Sequence, residues 1–421
     1  MKKELSNFSS LRINQIKNKS NFFKVAVFFF IFFVLCSAYY FKRIYQPWGT
    51  CDTDFSVFTS VGQAIALKED IYLRCFLETG VDFYKYSPVF AVMMIPLSKL
   101  HRHLSVPIWY LSIFIFFISS IFFTKKILLR DNPEKDLSKA FYIFAILMSL
   151  RFLLSVIQRV QSDALVLFLL ALFIFALFYN KQAFAGIALG AACMVKLTPL
   201  IFVPYLLLKK KFKAAGACSL ALIGYVFAPA LYLGWLKNLE YLKNWFIALT
   251  QKVPADYFLW YKNQSLFSCL MRFFSPDSPK SIFNLDQAYI SIIFIVLAAC
   301  LCGLIFMIGK KPKHPASGFS YLAEISLVLI CMILFSPLAW KHTFLHLIIP
   351  HLVLLYYTLY INPADRAVRA LLIASFVMNT VLNPDLTKPI DQLLQEYSII
   401  TWGTLLLFAG LFRVNYKLCK H

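Results

Sequence analysis

Charge is scarce in this sequence. Only 15% of its 421 residues are Asp, Glu, Lys or Arg, against about 25% in an average soluble chain. Acidic groups are rarer still, 20 against 42 basic ones. The low-hydropathy, charge-rich composition of a disordered chain is therefore missing, and so is the alternating strand pattern of an outer-membrane barrel. The ten cysteines form no CxxC pair and show no metal-like spacing. No Walker-type loop, HExxH or GxSxG occurs, which disfavours ATP hydrolysis and metalloproteolysis. No cleavable signal is expected, because the first apolar run, Phe22–Phe41, is long enough to span and lacks a small-residue cleavage site.

What fills the chain instead is apolar sequence, 60% of it, where about 45–50% is usual. A soluble enzyme and a fibre are excluded, and a membrane-embedded protein remains. In a soluble protein the net charge of +22 would point to nucleic acid. Here basic cytoplasmic loops beside an anionic leaflet account for it, and no nucleic-acid partner is expected.

Apolar stretches recur at Phe22–Phe41, Ser87–Leu97, Val106–Phe123, Ala140–Ile157, Ala164–Tyr179, Ala183–Leu208, Ala214–Leu233, Ile290–Ile308, Tyr321–Leu338, Thr343–Ile361, Ala367–Leu382 and Ile399–Leu411. Backbone in hydrocarbon must satisfy its own hydrogen bonds, so these predict an all-α polytopic bundle of about eleven to twelve membrane segments. Residues 1–21 read as a basic cytoplasmic segment, 22–413 as a single transmembrane catalytic domain, and 414–421 as a cytoplasmic tail. Lys2, Lys3, Arg12, Lys17, Lys19 and Lys24 place the N-terminus inside, as Lys209–Lys213, Lys310–Lys313 and Arg413–Lys420 place later loops and the C-terminus. Two long outside loops follow, 44–86, which is rich in carboxylates, and 234–289, which holds Trp235, Tyr241, Trp245, Tyr257, Trp260 and Tyr261. Such rings favour the headgroup level. Lys125–Lys139 is reconciled with this topology if Ser87–Leu97 lies along the outer interface and Ala183–Leu208 breaks near Lys196-Leu197-Thr198-Pro199, where proline removes an amide donor. Cys36, Cys193, Cys218, Cys300, Cys302 and Cys331 sit in apolar runs. Cys51, Cys75 and Cys269 read as loop residues, and a Cys51–Cys75 bridge is conceivable.

Ionisable groups within or beside spans are expensive and so are functional candidates. Asp52 and Asp54, shortly after the first span, offer a carboxylate that could deprotonate an attacking hydroxyl. Gln158, Arg159, Gln161 and Asp163 interrupt an apolar run, either at a polar cavity or as a short loop between spans. Lys196 needs an anionic partner, which a phosphate at the helix break would supply. Asn263, Gln264 and Ser265 suit sugar hydroxyls and Arg272 suits a phosphate fork. Lys341 and His342 bring donors to the same outer face, with His346 and His351 following down the span.

These runs resemble a known family. Asp54-Phe55-Ser56-Val57-Phe58, Asp70-Ile71-Tyr72 and Tyr86-Ser87-Pro88-Val89-Phe90 with Pro96 are similar to the opening of glycosyltransferase family 87, polyprenyl-phosphate-mannose-dependent mannosyltransferases with the GT-C fold. Val160-Gln161-Ser162-Asp163 resembles its Gly-Gln-x-Asn step, with valine for glycine and aspartate for asparagine. Ala185–Gly190 with Lys196-Leu197-Thr198-Pro199, then Asn263-Gln264-Ser265-Leu266 with Arg272, then Ser336–His342 resemble its later blocks. The resemblance implies a metal-independent, inverting hexosyltransferase with no cofactor. A polyprenyl-phosphate sugar is its co-substrate, an envelope glycolipid or glycan its acceptor, and membrane lipids its surroundings. It would sit in a bacterial inner membrane with both termini cytoplasmic and the active site extracytoplasmic. By the same resemblance Asp54 is the base, with Asp52 as understudy, and His342 sits beside the donor. Lys196, Arg272 and Lys341 bind its phosphate, Gln161, Asn263 and Gln264 line the sugar pocket, and Asp163 and Tyr86 are secondary candidates. Cationic donors aimed at a leaving phosphate stabilise the transition state without a metal. A transporter or flippase of lipid-linked glycans is the competing reading. The internal repeat common in transporters is not visible in the sequence.

Overall fold

A computed structural model describes residues 2–44, 53–72, 84–131, 137–250, 255–310, 317–382 and 388–420. They form helices, and no strand occurs among them. In chain order these are α1 (Lys2–Ile44), α2 (Asp54–Ala66), α3 (Pro88–Ser98), α4 (Arg102–Leu128), α5 (Lys139–Arg159), α6 (Asp163–Phe178) and α7 (Gln182–Val195). Then come α8 (Phe202–Leu208), α9 (Phe212–Phe227), α10 (Ala230–Leu233), α11 (Trp235–Thr250), α12 (Ala255–Leu259) and α13 (Leu266–Phe274). The series ends with α14 (Gln287–Gly309), α15 (Gly318–Leu334), α16 (Ile348–Tyr356), α17 (Arg366–Phe376), α18 (Lys388–Glu396) and α19 (Ile399–Leu418).

Seven stretches are long and apolar enough to cross a bilayer: Asn21–Lys42, Arg102–Leu128, Lys139–Arg159, Phe212–Leu233, Gln287–Gly309, Lys341–Ile361 and Ile399–Leu418. The protein is an all-α multi-pass membrane protein. Five shorter apolar helices accompany them: Pro88–Ser98, Asp163–Phe178, Gln182–Val195, Thr198–Leu208 and Gly318–Leu334. The predicted break in Ala183–Leu208 is present. α7 stops at Val195, Lys196 is extended at φ −141° and ψ 137°, and a 3-10 turn over Thr198–Ile201 carries Pro199. Ala367–Leu382 departs from expectation. It holds α17, with Arg366 and Arg369 in its first turn, followed by a π-helical turn over Val377–Val381, and does not form one long apolar span.

The chain divides into two compact units. The smaller comprises Val34–Ser120 and Leu154–Pro254. At its centre α7 packs against both α6 and α9. A Cβ at Gly186 of α7 would collide with the Ala214 carbonyl of α9, so glycine is what lets these backbones approach without a hydrophobic driving force. On α11, Asn238, Tyr241, Trp245 and Ala248 form one buried stripe, while Trp235, Leu236, Leu239 and Phe246 are exposed. From that stripe Tyr241 Oη donates to the Glu69 carbonyl at 2.6 Å and Trp245 Nε1 to the Lys85 carbonyl at 3.0 Å. One helix face thus grips two separate points of the first loop.

The larger unit comprises Met1–Phe33, Ile121–Leu153 and Ala255–His421. Its axis is α15, where every residue except Tyr321 is buried. Asn415 of α19 donates to the Ala323 carbonyl at 2.8 Å, a polar tie suited to an apolar medium. α14 is the opposite case, with 11% of its most apolar stretch buried, as expected of a helix that faces lipid.

Candidate functional site

In the smaller unit the site begins at a helix cap. Thr53 Oγ1 accepts the Ser56 amide at 3.3 Å and starts α2. Asp54 therefore falls in the first turn, where the helix dipole favours a carboxylate. It is half-buried. Ser87 caps α3, and its hydroxyl also donates to the Met194 carbonyl of α7 at 2.5 Å. Tyr72 Oη donates to the Tyr86 carbonyl at 2.9 Å and Tyr84 Oη to the Ser87 carbonyl at 3.2 Å. These bonds fix the backbone around Tyr86.

From there Tyr86 Oη donates to Gln161 Oε1 at 3.3 Å and accepts from Ser162 Oγ at 3.4 Å. Gln161 and Ser162 lie in the turn between α5 and α6, which Val160 makes possible by adopting φ 54°. Asp163 opens α6 with a side chain 0% exposed, and Lys196 Nζ reaches its Oδ2 at 2.7 Å. The Lys196 side chain remains 20% exposed. Burial, opposed by Lys196 and reinforced by Asp54 and Asp163, pushes the Tyr86 hydroxyl up to about 12. It therefore stays a neutral donor. Burial alone would lower the Lys196 pKa, but Asp163, Tyr86 and Asp54 outweigh it and raise the value. The structure thus brings Asp54, Tyr86, Gln161, Asp163 and Lys196 within electrostatic reach of one another. Asp52, and the Cys51–Cys75 pairing, lie outside the described residues.

The remaining sequence candidates belong to the larger unit and do different work. Asn263 Nδ2 donates to the carbonyls of Tyr257 at 3.2 Å and Pro337 at 3.0 Å, and its Oδ1 accepts the amides of Ser265 and Ala339. Gln264 Nε2 donates to the carbonyls of Tyr261 at 2.6 Å and Gln395 at 2.8 Å. Arg272, 2% exposed, donates to the Asn263 carbonyl at 2.7 Å, the Trp260 carbonyl at 3.1 Å and Ser398 Oγ at 2.7 and 3.2 Å. Asn263 ties its loop to the Pro337–Ala339 turn, while Gln264 and Arg272 tie theirs to Gln395 of α18 and to Ser398 at the start of α19. The sequence reading gave them to a ligand because amides and guanidinium suit sugars and phosphates, yet the same groups are the best partners for buried carbonyls.

Lys341 Nζ lies 2.8 and 2.9 Å from the two carboxylate oxygens of Asp391 in α18. Asp391 was missed, since nothing in the sequence around 388–396 marks one carboxylate over another. His342 is 8% exposed in the 3-10 segment Lys341–Leu347. His346 Nδ1 is 2.8 Å from the Thr343 carbonyl, and His351 is fully buried. Cys269 is not a loop residue but is buried on amphipathic α13. The aromatic group of the second loop also divides. Tyr241 and Trp245 pack in the smaller unit, whereas Trp260 packs edge-on against Trp340 at 5.0 Å in the larger.

Among the described residues no group of three or more His, Cys, Asp or Glu is placed to hold a metal. Asp52-Thr53-Asp54 does have the carboxylate spacing of a cation-binding turn, a feature that the expectation of no metal passed over.

The family model of glycosyltransferase family 87 matches residues 83–337. The chain belongs to that family. It is accordingly a membrane glycosyltransferase. Tyr86, Gln161, Asp163, Lys196, Asn263, Gln264 and Arg272 fall inside the family match, whereas Asp54 precedes it and Lys341 and His342 follow it. Among curated proteins, no relative matches the chain.

Proposed function

We propose that this glycosyltransferase moves a hexose, mannose first among them, from a polyprenyl-phosphate sugar to an envelope glycolipid or glycan. The reaction takes place at the extracytoplasmic face of a bacterial inner membrane. The observation that supports this reading is the cluster of Asp54, Tyr86, Gln161 and Lys196, most of it within the family-matched residues. A carboxylate, a neutral hydroxyl, an amide and an ammonium on a partly exposed side chain are the groups that a sugar phosphate requires.

Asp54 takes the proton from the acceptor hydroxyl as its oxygen attacks the anomeric carbon. The bond to the phosphate oxygen breaks, and the lipid phosphate leaves as an anion. A single displacement of this kind inverts the anomeric centre. Lys196 serves the departing phosphate, and Tyr86 and Gln161 orient the sugar. Asn263, Gln264 and Arg272 hold the loops of the larger unit, their donors engaged by carbonyls and by the Ser398 hydroxyl. Asp54 needs no metal for this role, so chelation with EDTA is expected to leave the rate unchanged. A loss of rate restored by a divalent cation would assign Asp52 and Asp54 to a metal instead.

The test is full-length purified protein incubated with a panel of radiolabelled prenyl-phosphate sugars and envelope lipid extract. Asp54→Asn is expected to lower transfer at least about 100-fold, in the range general-base loss produces, while donor binding persists. Near-normal transfer by Asp54→Asn would remove Asp54 as base, and lipid movement without transfer would favour a flippase.

A further inference from the structure

Lys196 is already partnered from within the protein, and the partner is unusual. Asp163 is 0% exposed, and a buried carboxylate without compensation is strongly disfavoured. Compensation comes from its place in the first turn of the sixteen-residue helix α6, where aligned amides favour negative charge, and from the Lys196 ammonium at 2.7 Å. An ammonium has three N–H donors. The contact with Asp163 Oδ2 uses one of them, and the side chain keeps 20% of its surface exposed. Lys196 also stands on extended backbone between α7 and the 3-10 turn, and a four-carbon stem without an anchor at its end swings toward headgroups.

We infer that Asp163 is a positioning residue that pins the Lys196 ammonium from behind, so that its outward face meets the donor's phosphate. This rests on the phosphate role proposed for Lys196 and adds to it a residue that acts only through that lysine. The carboxylate does not touch substrate. It fixes direction and keeps the ammonium charged, while Tyr86, Gln161 and Ser162 wall the same turn.

The test uses full-length protein in detergent with polyprenyl-phosphate mannose as donor, reading kcat, donor KM, acceptor KM and melting temperature. Asp163→Asn is expected to raise donor KM about ten-fold with acceptor KM unchanged, and Asp163→Glu to recover part of the loss. The double variant Lys196→Met/Asp163→Asn is expected to be no worse than Lys196→Met alone. Losses that multiply in the double variant, or an unchanged donor KM in Asp163→Asn, overturn the inference. An unchanged donor KM in Lys196→Met instead overturns the phosphate role itself. Because Lys196→Met leaves a buried carboxylate and folding can fail, a second measurement needs only Asp163→Asn. Competition by prenyl phosphate is expected to weaken about ten-fold and competition by the uncharged prenol to stay the same. Equal weakening of both reduces Asp163 to a packing role.

Discussion

At the scale of single residues, the same chemistry serves two ends. Lys196 and Arg272 are both cations that a sequence reader would aim at a phosphate. Lys196 lies beside a carboxylate with 20% of its side chain exposed. Arg272 directs its donors at two carbonyls and one hydroxyl, and lies 2% exposed. A lysine cannot reproduce the planar fork at that position. Arg272→Lys is therefore expected to destabilise by about 2–4 kcal/mol, the cost of leaving buried acceptors unsatisfied. Donor KM of the folded enzyme should stay within about two-fold. Thermal unfolding in detergent alongside donor titration checks this, and a large KM change at unchanged stability would return Arg272 to the phosphate. Asn263 and Gln264 belong with Arg272, while Tyr86 and Gln161 belong with Lys196. The residue types were legible in the sequence. Their employment was not, because burial depends on which carbonyls the fold leaves in need.

At the scale of elements, breaks matter more than helices. The turn between α5 and α6 requires a left-handed residue, and a valine occupies it at φ 54°. A β-branched side chain there is strained by roughly 1–2 kcal/mol. Val160 is also fully buried, so removing its isopropyl loses about as much as the strain returns. Val160→Gly is expected to change stability by less than about 1 kcal/mol, small for a buried valine. A melting shift equivalent to several kcal/mol would show the turn is relaxed as it stands. The break at Lys196 was readable from Pro199, since proline's lost amide has a fixed consequence. The α5–α6 turn was read only as polarity. The first loop shows the same limit. Its carboxylates were visible, but the grip of Tyr241 and Trp245 on Glu69 and Lys85 joins positions about 160 to 172 residues apart, beyond any local pattern.

At the scale of the whole chain, membrane topology is the open quantity that sequence predicts and experiment can fix. The basic runs at Lys209–Lys211 and in the C-terminal stretch predict a cytoplasmic position for both. A fluorescent protein fused after residue 421 is expected to be bright, and alkaline phosphatase inserted in the second loop near residue 278 to be active. The reverse pattern would invert the membrane orientation and move the proposed chemistry to the other leaflet.

Composition and hydropathy alone determined the class of the molecule, because a backbone in hydrocarbon has only one economical way to satisfy itself over such runs. Proline at 199 likewise determined where one of those runs must open. Only the tertiary structure decided that Lys196 answers to Asp163 and Lys341 to Asp391, and that Asn263 and Gln264, expected at a sugar, and Arg272, expected at a phosphate, close loops instead. A charge chooses its partner by distance in space, and in a chain this apolar the nearest partner is set by packing rather than by position in the sequence.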